Sequence, residues 1–333
     1  MTAPPTSATT EWDAVYRAVI SPGFMIGVVL GTLFVSGGAT CAPQRAASVF
    51  PPPPQVLGEV ASLAEIAAAV NRNDAVTQLS TNSASIQDLK QKTPRLSASV
   101  HLQRDKDFRL RASLPIILGA GLDIGSNNDV FWFEVPEGMT RTMYFARHEQ
   151  YQNNLERAII PVNPAWLIEA IGLVHIDPNL VVAGPVRRND GLLEIRSRMT
   201  DGIHNRVCYI DPEGGFVTQQ LLTKPLPGGG ETLIAESRAG DHRFYENPQC
   251  VLPHRVLLRL LPTAAPEMNL QIEVGDYVVN QLLSSEPDLF VMPQTAGNIQ
   301  DLTRISLAPP PMPTPSAYVA ESPQKLNLRG VSY

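Results

Sequence analysis

Six histidines (His101, His148, His175, His204, His242 and His254) and three cysteines (Cys41, Cys208 and Cys250) are the residues of this 333-residue chain best suited to chemistry. A zinc site needs His or Cys donors at fixed spacing, because the ion gathers its ligands into a tetrahedron. The histidines form no His-Glu-x-x-His, and no cysteine stands in a Cys-x-x-Cys pair. Asp241-His242 reads as a proton-transfer pair, so a hydrolase built on it is one hypothesis. No Gly-x-Ser-x-Gly or comparable nucleophile setting accompanies that pair, and surface or structural histidines explain it more simply. Cys208 and Cys250 pair only if the fold brings their Cα atoms within about 7 Å; isolated buried thiols are the simpler reading. The expectation is binding without bond-making chemistry: not an enzyme, no metal and no cofactor.

The formal net charge of −6 gives no basic field for nucleic acid, and no Arg/Lys run supplies one locally. Thirty prolines gather toward the two ends, so the ends differ in kind from the middle. From Gly23 to Ala39 the chain carries no charge, and Cys41 comes directly after. A stretch of that length sits at the lower limit for spanning a bilayer, and its small-residue end suits a signal segment. Gly38-Ala39-Thr40-Cys41 resembles the lipobox of bacterial lipoproteins, although that pattern prefers a branched aliphatic residue where this chain has Gly38, and Gly or Ala where it has Thr40. Several readings stand open: lipidation at Cys41, an uncleaved N-terminal anchor, and ordinary cleavage or a buried helix. All but the buried helix place the body outside the cytoplasm, membrane-anchored in the first two cases.

These candidates need elements to position them. Residues 1–41 form the signal or anchor segment and 42–58 a linker. Pro51-Pro52-Pro53-Pro54 favours an extended conformation there, with a reach of roughly 40 Å. Ser62-Leu63-Ala64-Glu65 has the capping-box pattern, and the alanine-rich stretch after it predicts a helix to about Leu79. Asn163-Pro164 supplies an N-cap and a first-turn proline for a short amphipathic helix to Val174. Between and after these, alternation predicts about ten or eleven strands, among them Phe108–Ala112, Val130–Val135, Leu193–Met199 and Leu270–Val274. Pro212-Glu213-Gly214-Gly215 marks a hairpin turn. The folded body is placed at 59–295 and a proline-rich disordered tail at 296–333.

An N-terminal helix, a strand with Phe108-Arg109-Leu110-Arg111, a turn rich in Gly, Ser, Asn and Asp, and the strand Phe131-Trp132-Phe133 resemble the lipoprotein-carrier superfamily, the LolA/LolB-like fold. A second block, Pro253–Leu258, then Leu270–Asp276, Val279-Asn280 and Phe290-Val291-Met292-Pro293, carries the same resemblance, which spans about Leu63 to Pro293. It implies a mainly β (α+β) fold: an incomplete, strongly curved antiparallel β-barrel covered by helices, whose apolar cavity binds acyl chains or lipoproteins. Cys41 then points to the membrane-bound side of the family, anchored in the outer membrane and facing the periplasm. Cavity-lining candidates are Leu110, Phe131, Trp132, Phe133, Leu193, Ile195, Leu270 and Ile272. In the family's carriers an early-strand arginine latches a helical lid, which makes Arg104, Arg109 and Arg111 latch candidates. Solvated, outward-facing arginines are the simpler expectation for the last two, since they alternate with Leu110. Pro115–Gly119 is a candidate membrane-delivery loop. A structural or protein-binding envelope role, with the barrel filled by its own side chains, remains the alternative.

Overall fold

The computed structural model describes residues 50–90, 94–104, 106–113, 121–137, 140–152, 162–262, 267–294 and 298–304. Cys41, the Gly23–Ala39 stretch, Pro115–Gly119 and the tail from Ala308 lie outside the described residues. The chain divides into Met1–Val49 and Phe50–Tyr333, and the elements below all belong to the second unit. Among the described residues no helix is long and apolar enough to cross a membrane.

Two antiparallel meanders make one sheet. The first runs β1 (Gln78–Asp88), β2 (Leu96–Gln103), β3 (Asp107–Ser113), β4 (Gly121–Ser126), β5 (Val130–Glu137) and β6 (Thr140–Arg147). The second runs β7 (Val181–Arg187), β8 (Leu193–Arg198), β9 (Asn205–Ile210), β10 (Val217–Pro225), β11 (Glu231–Tyr245), β12 (Cys250–Leu260) and β13 (Met268–Val274). Their first and last strands pair, Ala84 facing Val274 and Asp88 facing Leu270, so the two meanders join at a β1–β13 seam. β14 (Val278–Val279) adds to β1, and β15 (Asn298–Asp301) lies parallel to β6. The sheet ends at β7 and β15, which do not meet. It is an open, mainly antiparallel, incomplete barrel with few helices, as the resemblance implies.

Among the described residues fifteen strands replace the ten or eleven expected, because several lack alternation. β4 (GLDIGS) reads as a glycine-rich connection, yet its glycines permit tight packing. A Cβ at Gly121 would collide with Ala112 O, and one at Gly125 would enter the Trp132 ring. β7 contains Gly184-Pro185 and pairs with β8 through two register shifts, a pattern that a sheet edge tolerates. β15 falls within the segment expected to be a disordered tail.

Helix α1 (Leu63–Val70) begins as predicted: Ser62 Oγ accepts from Glu65 N, and the Glu65 carboxylate accepts from Ser62 N. It stops well short of the expected Leu79. Asn71 leaves the helix to hold both backbone groups of Ile176, donating to Ile176 O (2.9 Å) and accepting from Ile176 N (2.8 Å). A 3₁₀ turn (Asn71–Ala75) comes next and leads into β1. Helix α2 (His148–Gln152) caps the end of β6, and α3 (Pro164–Ala170) is shorter than predicted. Asn163 caps α3 through Ala165 N (2.9 Å). Gly172 at φ +111° ends that region under Pro253, whose ring would overlap an added Cβ. Here glycine is required twice over, by the backbone angle and by the proline ring.

Asn280, also at positive φ (59°), explains the asparagine in the second sequence block. Its amide accepts from Thr77 N (2.8 Å) and donates to Ala75 O (3.0 Å), fixing the start of β1. The linker is partly docked: Val56 N and Leu57 N donate to Glu213 O, and Phe50 packs on Tyr245 and His254.

Candidate functional site

The inner face of the sheet is apolar across the seam. Val100 and Leu102 on β2, Phe108 and Leu110 on β3, Val256 and Leu258 on β12, and Ile272 on β13 share one cluster. Period-two alternation sends these residues inward from each strand. Into that face drops α3, carrying Trp166, Ile168 and Ala170, with Trp166 only 1% exposed. The indole Nε1 of Trp166 has no hydrogen-bond partner, so the ring serves as apolar filler. Beside it, Phe108, Ile124, Phe131, Phe133, Pro164 and Leu167 line an apolar cavity of about 20 Å³. Drug-sized ligands need cavities on the order of 300 Å³ or more. An acyl chain therefore has room in this cavity only if α3 moves. A separate opening of about 470 Å³ at the edge of the seam, where Leu258 and Leu270 meet Lys90, Arg259 and Glu267, is lined by charges as well as leucines.

What holds α3 and the turn after it is polar and comes from the second meander and from the 3₁₀ turn before β1. Arg206, 6% exposed, donates through Nη1 to Glu169 Oε2 (2.5 Å) and through Nη2 to His175 O (2.8 Å). Burial holds the Glu169 carboxyl above its ordinary range, against the smaller opposing pull of the Arg206 guanidinium. Gln220 Nε2 donates to Glu169 O (3.2 Å) and Ser237 Oγ to Ala170 O (3.1 Å), satisfying carbonyls at the helix end. Asn73 Nδ2 donates to Gly172 O (2.8 Å) and also to Val251 O (2.9 Å). Arg206 is absent from the latch candidates, although the sequence holds a signal for it. In Arg206-Val207-Cys208-Tyr209-Ile210 the arginine shares parity with Cys208 and Ile210, both of which pack inward.

The three expected latch arginines do three different things. Arg104 donates to Val76 O (2.8 Å) and Asn73 O (2.9 Å) and pairs with Asp74 (3.0 Å), so it pins the 3₁₀ turn. Asp74 in turn meets His175 Nδ1 (2.8 Å) beyond α3. Arg109 and Arg111 lie on the outer face, as alternation with Leu110 requires, but Arg109 is not solvated: it is 2% exposed. Residues 281–294 cross over it, and it pairs with Asp123 (2.5 Å) beneath them. Arg111 is half-exposed and pairs with Glu286.

The eight cavity candidates do not line one space. Leu110 and Ile272 belong to the central cluster, with Leu270 packed against it. Leu193 and Ile195 join a second cluster with Ile66 and Val70 of α1. Phe131 packs with Ala146 and Tyr151, while Phe133 stacks on Tyr144 with centroids 5.2 Å apart; both phenylalanines line the small cavity. Trp132 points the other way, its ring 5.2 Å from the Arg109 guanidinium on the outer face.

The groups suited to catalysis are engaged separately. Asp241 accepts from Arg243 (3.2 Å), while the His242 ring lies 4.2 Å from Phe216, and burial lowers its pKa to about 4. His254 bonds Tyr245 Oη (2.9 Å) and Val274 O (2.9 Å), and His204 bonds Asp201 (2.7 Å). His101 bonds Ser80 Oγ (3.1 Å), and His148 bonds Asn127 O (2.8 Å). Cys208 and Cys250 are both free and buried. Among the described residues no group of three or more His, Cys, Asp or Glu is placed to hold a metal ion.

No protein-family model matches the chain. No curated protein matches it either. Solved structures similar in fold include a domain named for outer membrane lipoprotein sorting from Vibrio parahaemolyticus (9% identity, TM-score 0.44), which covers 67% of this chain and 95% of its own. A DUF1329 family protein from Desulfovibrio piger is similar at 8% identity and TM-score 0.44, over 66% of this chain and 92% of its own. A LolA superfamily protein from Nitrosomonas europaea is similar at 10% identity and TM-score 0.39, over 68% and 96% respectively.

Proposed function

We propose that this chain is an extracytoplasmic, membrane-tethered module that takes acyl chains, free or carried by a lipoprotein, against the inner face of its sheet. It does so without bond-making chemistry. The observation that carries this reading is a continuous apolar face, spanning both meanders, plugged by the two-turn helix α3. That helix is held by polar contacts centred on Arg206–Glu169. A plug fastened this way leaves as one piece, and the space of Trp166 passes to the incoming chain. In this reading residues 1–41 supply the anchor, with Cys41 as the lipid-bearing residue, and 42–58 the tether to a periplasm-facing body at the outer membrane.

The test uses the full chain purified from membranes in mild detergent and examined by native mass spectrometry, with a dansyl fatty acid as probe. Co-purified lipid is expected in the wild type, and Trp166→Ala is expected to bind the probe more tightly by about 10-fold or more. Trp166→Ala costs about 3–5 kcal/mol of stability, so Arg206→Met serves as a second way of loosening the plug. An apo mass together with no probe binding by either variant sinks the proposal. For the anchor, Cys41→Ala is expected to abolish labelling by radiolabelled palmitate; persistent labelling removes Cys41 from the mechanism.

A second reading has its own support. The 20 Å³ cavity is what a barrel filled by its own side chains leaves behind, in keeping with a structural or protein-binding envelope role. The same apo mass, with unchanged probe binding in both variants, selects it.

A further inference from the structure

After β14, residues 281–294 run across the outer face of the first meander. Beneath them lies a transverse row set by strand register: Ser80 faces His101, His101 faces Arg109, Arg109 faces Gly125, and Gly125 faces Trp132. Ser80, His101, Arg109 and Trp132 are all buried, although they lie on the side of the sheet away from the core. The absence of a side chain at Gly125 lets the Trp132 ring lie flat over the strand and form a floor.

The face reads the backbone of the crossing segment. Arg109 Nη1 donates to Leu289 O (3.3 Å) and Val291 O (3.1 Å), and Asn127 Nδ2 donates to Phe290 O (3.1 Å). Leu283 N donates to Ser80 Oγ (3.3 Å). Of the side chains, Arg111 takes the Glu286 carboxylate at 2.8 Å, and Leu289 is buried, whereas Leu283 and Val291 stay exposed. The recognised object is thus a segment that turns at residues 287–290, Leu289 N donating to Glu286 O (3.3 Å) and Val291 N to Asp288 O (3.0 Å), with an acidic residue three positions before a buried leucine.

That segment leaves the face incompletely satisfied. Arg109 Nε, Trp132 Nε1 and Asp123 Oδ1 are buried with no hydrogen-bond partner: two donors and one acceptor in a single patch. A peptide group complements such a set, its carbonyl accepting from the donors and its N–H donating to the carboxylate. Burying such atoms unpaired is unfavourable, so an occupant that pairs them gains over one that does not. We propose that this outer face is a peptide-binding groove, that residues 281–294 are its resident, autoinhibitory occupant, and that the partner is a segment of another protein that can make the same turn. That partner carries Glu or Asp three residues before Leu and brings one further peptide group to Arg109, Trp132 and Asp123.

The test takes the full chain with the resident segment weakened by Glu286→Lys and Leu289→Ser. The probe is a fluorescein-labelled peptide with the sequence of residues 284–293, read by anisotropy. The weakened chain is expected to bind it about 10-fold more tightly than the wild type, which must first release its own segment. Arg111→Glu, at a half-exposed position that leaves folding intact, is expected to lower that affinity about 5-fold, and a probe with Glu286→Arg to restore it. Hydrogen exchange supplies the independent readout: amides of 281–294 are expected to exchange well before those of β12. The proposal is overturned if those amides open only with β12 in the wild type. It is equally overturned if they are open in the weakened chain and the probe does not bind.

Discussion

The outer faces of the two meanders are made from similar alternating strands, and they meet water very differently. On the second meander, and on the β1–β2 hairpin beside its last strand, charges stand in the open as a lattice. Arg196 pairs with Glu194 (2.8 Å) and Glu231 (3.6 Å); Glu267 pairs with Lys90 and Arg259 (both 2.7 Å); Glu273 pairs with Arg95 (2.7 Å) and Arg255 (3.6 Å). Those arginines are 44–61% exposed, so water competes for each contact and a pair contributes little. On the first meander, Arg109 alternates along β3 as Arg196 does along β8, yet residues 281–294 bury it to 2% exposure. One pair is then a buried ion pair with strict geometric demands, the others a solubilising skin. Strand periodicity chooses the face; only the covering segment decides whether a charge there is structural.

This contrast can be broken by experiment. Arg109→Met leaves the partly buried Asp123 with only the more distant Arg111 (3.9 Å) and is expected to cost about 3 kcal/mol, lowering Tm by roughly 10 °C. Adding Asp123→Leu is expected to restore much of the loss, because the unpaired charge goes with it. A loss no larger than that of Arg259→Ala would erase the distinction between the faces.

Acid is the next largest probe, since it reaches buried histidines before the lattice. The folded protein keeps His242 neutral down to about pH 4, whereas the unfolded chain protonates it near 6.5. Its contribution is therefore complete above pH 6.5 and is lost as pH falls toward 4. Allowing for its partial contact with water, this amounts to about 2 kcal/mol. His101, in the covered row, is shifted the same way, first by burial and then by Arg111. Glu267, held at about 2 by hydrogen bonds from Lys90 and Arg259, keeps its charge throughout that range. Thermal melts at pH 7.5 and 4.5 are expected to show a clear drop that His242→Gln reduces; an unchanged drop refutes the assignment.

The smallest effect belongs to the lattice itself. Arg259→Ala is expected to leave stability almost unchanged, and 1 M salt to remove any difference that remains. A larger, salt-resistant effect would mean that the lattice is built as tightly as the covered pair.

Much of this molecule is legible in its sequence, for reasons that can be named. β8 and β13 alternate strictly in sequence, and β12 alternates in burial from Arg255 to Leu260, so their faces follow from period two. The capping box at Ser62–Glu65 and the turn in which Asp211 Oδ1 accepts from Glu213 N and Gly214 N are local chemistry. β4 is hidden because its glycines answer to Ala112 and Trp132, partners on other strands. α1 reads as longer than it is because Asn71 and Asn73 are recruited by Ile176, Gly172 and Val251, all about a hundred residues or more away. At the candidate site, the apolar inward residues are legible singly, but not their division among three clusters. The latch arginine is expected on or beside β3, whereas the arginine that pairs with Glu169 of α3 stands on β9.

The β1–β13 seam carries a consequence for how the chain acquires its fold. Ala84 must find Val274, and nearly the whole body lies between them. Closing so long a loop is slow, and until it closes β1 presents an open edge to any other strand it meets. The first meander emerges first during synthesis and must wait for the last strand of the second. Such a domain gains from being held unfolded until its chain is complete, and a truncation before β13 would leave an aggregation-prone half rather than a smaller working one.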